Sequence, residues 1–264
     1  HYSIQEIGGD LVFLSPDGVR SVAATARIGD VELGSVSRQI QSVTSIIARD
    51  IDDFTITSCV LRRRSQYRLY YSTDGGAINR AKGIIGTLTK DGFEWAETEG
   101  IQCSSIVSDF NSSGIEKIYH GDKNGYIYNH DIGNSFIETG SAFNIDARYT
   151  TPFLDFGDVG TRKTMKYLKL SVSPEGTLEP TLRTQYDFVD TDVAQPSDIV
   201  LTGIPVPPVF GTALFASAIF EGTNDPMSRQ VLEGSGHTVS FQIKTDDQNA
   251  PYALKGLYMN YVPS

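Results

Sequence analysis

The turn Asp122-Lys123-Asn124-Gly125, within Glu116–Asp131 (EKIYHGDKNGYIYNHD), constrains what this chain can fold into more than any other stretch. Asn-Gly supplies the left-handed backbone that a tight hairpin needs, because Gly has no Cβ and Asn tolerates positive φ. Ile118 before the turn, and Tyr126, Ile127 and Tyr128 after it, suit the half-buried pleated surface of a strand. The same texture occurs twice earlier, as Leu11-Val12-Phe13-Leu14-Ser15-Pro16-Asp17-Gly18 and as Arg68-Leu69-Tyr70-Tyr71-Ser72-Thr73-Asp74-Gly75. The turn glycines Gly18, Gly75 and Gly125 stand 75 − 18 = 57 and 125 − 75 = 50 residues apart. A strand-rich repeat of that length is in the range of propeller blades, which hold four strands each.

The strands around these turns read as follows. Asp10–Leu14 and Val19–Val22 flank Ser15-Pro16-Asp17-Gly18, a type I turn by its Pro and Gly positions, and Gly29-Asp30 and Gly34 punctuate what comes next. Ser35–Asp52 is the helical candidate, with Val36, Ile40, Val43 and Ile47 at spacings of four, three and four. Phe54–Leu61, Gln66–Tyr71, Gly83–Leu88, Phe93–Glu97 and Cys103–Val107 are expected strands, with Lys90-Asp91-Gly92 a turn. Residues 1–144 therefore read as a propeller-like repeat region. Three blades are fewer than the usual minimum of about four for a closed ring, so closure is expected to need other elements or a segment before His1.

After Asn144 the texture changes. Lys163–Val172, with Lys166 and Lys169 on an exposed side, Leu178–Val189, with Leu182, Thr184, Tyr186 and Phe188 on one face, Ser228–Glu233, His237–Ile243 and Tyr252–Tyr261 are further strands. The Pro-rich stretch 190–211, with Pro205, Pro207 and Pro208, is expected to be a long contact-forming loop. Residues 145–264 read as an antiparallel β-sandwich-like region, which makes the whole chain all-β.

Chemistry-bearing patterns are sparse. His1, His120, His130 and His237 include no pair at ligand spacing, although His120 and His130 straddle the central turn and are candidate neighbours. Asp52-Asp53 and Asp246-Asp247 are adjacent acids that an extended strand would point to opposite faces, and Asp122-x-Asn124 lacks the rest of a calcium loop. Arg62-Arg63-Arg64 suits either a phosphate or carboxylate ligand or a solvated rim. Cys59 and Cys103, 103 − 59 = 44 residues apart with no Cys-x-x-Cys, are expected as buried free thiols, with a disulfide between them the alternative. Ser72-x-Asp74-x-Gly76 matches the front half of a sialidase-type Asp box, but Asn79 stands where the aromatic belongs. No catalytic, cofactor-binding or metal residue is assigned, and no apolar run is long enough to cross a membrane. The net charge of −10 argues against a general nucleic-acid clamp.

Asp10–Arg20, Gln66–Tyr71 with Ala81-Lys82-Gly83, Phe93-Glu94-Trp95 before Glu99-Gly100-Ile101, and Tyr119–Asp131 followed by Tyr149–Phe153 and Arg162-Lys163 together resemble tail proteins of short-tailed bacteriophages. The resemblance is to the tail nozzle (tail tubular protein B) and the related tail hub, or packaged-DNA stabilisation protein, whose chains are longer. It implies a propeller with an added sandwich, assembled with copies of itself as a hexameric ring in the virion tail. Its neighbours would be the tail adaptor or portal and tail fibre proteins. Genomic DNA would pass through the channel without specific binding, with no cofactor and no enzymatic activity. A net charge of −10 is compatible with a wall that does not trap a polyanion. The alternatives are a carbohydrate-active or carbohydrate-binding propeller and a non-enzymatic adhesion module.

Overall fold

The computed structural model describes residues 2–22, 35–73, 81–204 and 227–264. Among them are twenty strands and one α-helix, in six open antiparallel sheets. The chain divides into two compact units, His1–Ile132 with Phe136–Ser141, and Gly133–Ser135 with Ala142–Ser264.

The first unit is built from three meanders. β1 (Gln5–Ile7), β2 (Asp10–Ser15) and β3 (Gly18–Ser21) form the first, in that order. β4 (Phe54–Leu61), β5 (Gln66–Thr73), β6 (Ala81–Thr89) and β7 (Gly92–Ile101) form the second. β8 (Ser105–Phe110), β9 (Glu116–Gly121) and β10 (Ile127–Asn129) form the third. The first and third repeated turns join the second and third strands of their meanders, β2 to β3 and β9 to β10, and the second falls in sequence between β5 and β6. Recurrence at one topological position is what a repeat requires and what chance similarity of hairpins does not. The second turn itself, with Asp74, Gly75, Gly76 and Asn79 of the half-matched Asp box, lies outside the described residues, as do Gly29-Asp30, Gly34 and His1.

Among the described residues only the second meander has the four strands expected of a blade. The third stops at Asn129 because Asp131 adopts φ 58°, left-handed backbone that cannot continue a strand. The chain passes instead into a short hairpin of β11 (Phe136–Glu138) and β12 (Ser141–Phe143). The helix is also shorter than its apolar period suggested. α1 covers Gln41–Arg49, between 3-10 turns at Arg38–Ile40 and Ile51–Asp53. Ile47 of α1 is buried with Val12, Val19, Val60, Tyr67, Leu69 and Ile84, so the first two meanders and the helix share one core. Polar contacts reinforce it. Trp95 Nε1 donates to the Val36 carbonyl at 2.8 Å, Tyr67 Oη to that of Ser3 at 2.8 Å, and Ser37 Oγ accepts the Val19 N–H at 2.8 Å.

The second unit is a sandwich. One sheet is ordered β13 (Ile145–Thr150), β19 (Val239–Asp247), β15 (Thr181–Tyr186), β16 (Ile199–Val200). In the other, β14 (Lys163–Pro174) pairs with β17 (Met227–Val231) and β18 (Ser235–Gly236) along one edge and β20 (Tyr252–Pro263) along the other. Their inner faces meet in a core of Met165, Leu168, Leu170, Val172, Leu182, Tyr186, Val239, Phe241 and Ile243. Lys166 and Lys169 both face out despite their odd spacing because a register shift between Met165 and Tyr167 resets the alternation.

One expected strand is cut short. β15 ends at Tyr186, and Phe188 is 72% exposed instead of sharing the face of Leu182 and Tyr186. Asp187, Phe188 and Val189 all have positive φ, and Asp187 Oδ1 accepts the N–H groups of His237 at 2.7 Å and Thr238 at 2.8 Å. That side-chain-to-backbone bonding competes with the ladder and wins. Of the loop expected over 190–211, Leu201 and Ile204 are buried, while Pro205, Pro207 and Pro208 lie outside the described residues.

Candidate functional site

The densest polar cluster of the first unit lies where the third meander meets the second. Its centre is Arg68, on the otherwise apolar run Tyr67-Arg68-Leu69-Tyr70 of β5, and only 4% exposed. A buried guanidinium must find a carboxylate or lose its solvation uncompensated. It finds Asp131, with Nη1 to Oδ1 at 2.9 Å and Nη2 to Oδ2 at 2.7 Å, the paired fork that Arg favours. Arg64 Nη1 adds a third donor at 2.9 Å. Burial pushes the Asp131 carboxyl up, but the hydrogen bonds and charge of Arg68 outweigh it and hold the group below the usual carboxylate range.

Beside this pair stand His130 and His120, whose ring centroids are 5.0 Å apart at 67°. The spacing across the turn therefore did place them together. His120 stacks on Tyr128 at 5.1 Å, and His130 Nε2 lies 3.3 Å from Tyr70 Oη. Burial lowers both imidazoles, His130 to about 4, so both are neutral near pH 7. Their Nδ1 atoms are buried without a hydrogen-bond partner.

The turn at Asp122 consumes its own acid. Asp122 Oδ1 accepts the N–H groups of Asn124 at 2.8 Å and Tyr126 at 2.9 Å, and Oδ2 accepts Tyr128 Oη at 3.2 Å. This is an Asx turn, with the carboxylate spent on backbone donors. The arginine run is likewise engaged. Glu116 accepts the backbone N–H groups of Arg62 at 2.8 Å and Arg63 at 3.0 Å, and Arg63 Nη2 donates to the Gly114 carbonyl at 2.7 Å. All three arginines are exposed in the loop between β4 and β5, as a solvated loop requires, while their backbone and two of their side chains are bonded. The run is a 3-10 turn whose backbone docks β9.

A cavity of about 230 Å³ borders this cluster, lined by Leu61, Arg63, Arg64, Glu116, His130 and Asp131 among others. Its acids are already bonded to Arg and backbone donors, and among the described residues no group of three or more His, Cys, Asp or Glu is placed to hold a metal. The arrangement does the work of a joint. Charge-assisted bonds fasten the third meander to the second across 63 residues of sequence.

The remaining candidates are dispersed. Cys59 and Cys103 are both free and buried, and burial pushes each thiol up to about 12, so neither is a reactive thiolate. Asp52 and Asp53 sit in a 3-10 turn rather than a strand, and Asp246 and Asp247 end β19. His237, in the second unit, has Nδ1 at 3.1 Å from the Val159 carbonyl. The Arg68–Asp131 pair went unrecognised in the sequence, although a charge inside an apolar strand was the available signal. Among the described residues no helix is long and apolar enough to cross a membrane. The site and fold together define an all-β scaffold of tandem meanders and a sandwich. No known family model matches this chain, and no curated protein matches it.

Proposed function

We propose that this chain is a structural component of a bacteriophage tail, part of a ring-shaped nozzle or hub that retains and conducts the genome. The observation that carries the reading is a run of three antiparallel meanders followed by a sandwich unit, with the Gly18, Gly75 and Gly125 repeat of the sequence falling between the second and third strands of each. The polar cluster supports it, because its acids and arginines are spent on fastening one meander to the next. A carbohydrate-active propeller instead needs a pair of carboxylates left open to substrate, or an equivalent nucleophile. The chain works in this account by assembly: it contributes no chemical step, and DNA passes it without base-specific contact.

The test is location together with ligand binding. Immunogold labelling of intact particles with an antibody against this chain should mark the tail, and a glycan array should retain nothing. Unlabelled particles, or saturable retention of a defined glycan, would replace this reading with the carbohydrate one.

A further inference from the structure

The sheet formed by β14, β17, β18 and β20 differs in charge from the rest of the molecule. The chain has 22 Lys and Arg against 32 Asp and Glu, yet these four strands carry Lys163, Lys166, Lys169, Arg229 and Lys255 and no acidic residue. Lys163 is buried and donates to the carbonyls of Asp158 and His237. The other four lie toward solvent, on the face turned away from the core.

The geometry of that face follows from the register. Lys169 pairs with Arg229 on one side and Tyr258 on the other, and Tyr167 pairs with Val231 and Asn260. The Tyr167 ring holds Arg229 at 4.2 Å and Lys169 at 5.9 Å from its centroid, which fixes two cations in a row across the sheet. Around them, Met227 is 56% exposed, Val231 62% and Tyr258 56%. A phosphate backbone has no use for Met and Val side chains, and here the exposed face of the tyrosine ring is already taken by cations. Aromatic, Met and Arg side chains with apolar neighbours are instead the composition of a protein interface.

A complementary surface is present on the same chain. β7 is the edge strand of the four-stranded sheet in the first unit, and it exposes Glu94 on one face of that edge and Glu97 on the other, with Glu99 further along and no Lys or Arg in the strand. Charges on an edge strand discourage backbone pairing with another strand, but they leave carboxylates available to an opposing cationic face.

We propose that the outer face of the β14 sheet is a docking surface for a second copy of this chain, which it meets at the acidic β7 edge. Two different patches then pair, so the contact is heterologous and propagates from copy to copy, closing into a ring when the rotation allows. The inference deepens the assembly reading above and rests on it.

Charge reversal tests it. Sedimentation of the intact chain at about 0.05 M and about 0.5 M salt should show association that weakens as exposed charges are screened. K169E/R229E should weaken association at least about tenfold at low salt, and E94K/E97K/E99K should do the same. Mixing the two variants should restore it, because each reversed face then meets a reversed edge. All these residues are exposed or half-exposed, and unchanged urea midpoints would confirm that the variants fold. If the wild type assembles and the variants assemble equally well, this interface is wrong while the ring reading stands. A wild type that stays monomeric at both salt concentrations removes both. Duplex DNA that binds the wild type and is lost in K169E/R229E, with self-association unchanged, assigns the face to nucleic acid and overturns the proposal.

Discussion

Asp131 is the residue on which the third meander hangs. Its left-handed backbone ends β10, and its carboxylate receives Arg68 and Arg64. Asp131→Ala would leave Arg68 buried and unpaired, and losing one partner of a buried pair costs about 3–5 kcal/mol. Urea unfolding should show that loss, whereas Asp246→Ala, on the exposed end of β19, should shift stability by less than about 0.5 kcal/mol. The imidazoles make a second residue-scale prediction. His130 has a folded pKa lowered to about 4, against about 6.5 when unfolded, so the unfolded state binds more protons between those values. Its stabilising contribution is complete above about pH 6.5 and is lost as pH falls toward 4, by on the order of 3 kcal/mol, with the lowered His120 acting in the same direction. The groups facing it are Asp131, Arg68, His120 and Tyr70. In His130→Gln, unfolding measured at pH 7 and pH 4.5 should show a shallower decline than in the wild type; an identical decline would remove His130 from the account. At this scale the sequence was partly legible. The proximity of His120 and His130 follows from a short turn, which is local geometry. The pairing of Arg68 with Asp131 depends on how two sheets dock, and no local pattern encodes that.

The elements follow local chemistry more closely. Phe54–Leu61 forms the strand expected of its Thr55, Ile56, Thr57 and Val60, and Lys90-Asp91-Gly92 turns where Gly92 can take φ +119°. Misreadings occur where side chains bond backbone. The strand expected to run to Val189 stops at Tyr186 because Asp187 captures the N–H groups of His237 and Thr238 in the bend before β19, and the helix loses its ends to 3-10 turns. The repeated turns supply the element-scale test. Gly125 has φ +86° with open space around its Cβ position, so Gly125→Ala should cost only the left-handed strain, about 1–2 kcal/mol. Gly18 has φ +120°, and an added Cβ would also meet Ser37 Oγ, which accepts the Val19 N–H. Gly18→Ala should therefore cost more, about 3 kcal/mol, by adding overpacking to strain. Equal losses in thermal unfolding would show that the two turns are held alike, contrary to the structure.

For the whole molecule, all-β architecture was legible because alternation and turn residues act over a few positions, and those signals recur along the chain. The number of strands in each meander was not, since a fourth strand depends on where the chain goes after the third. The acidic composition was legible too, but its uneven placement was not. Five cations from sequence-distant strands gather on one sheet only after β14, β17 and β20 pair. In the reading proposed above, tandem meanders and a sandwich serve assembly rather than catalysis. Electron cryo-microscopy of the associated protein tests it most directly. A closed symmetric ring is expected, with an axial opening wide enough for duplex DNA and successive copies related by a single rotation. A monodisperse single-chain particle under associating conditions, or a closed assembly with no axial opening, would contradict it.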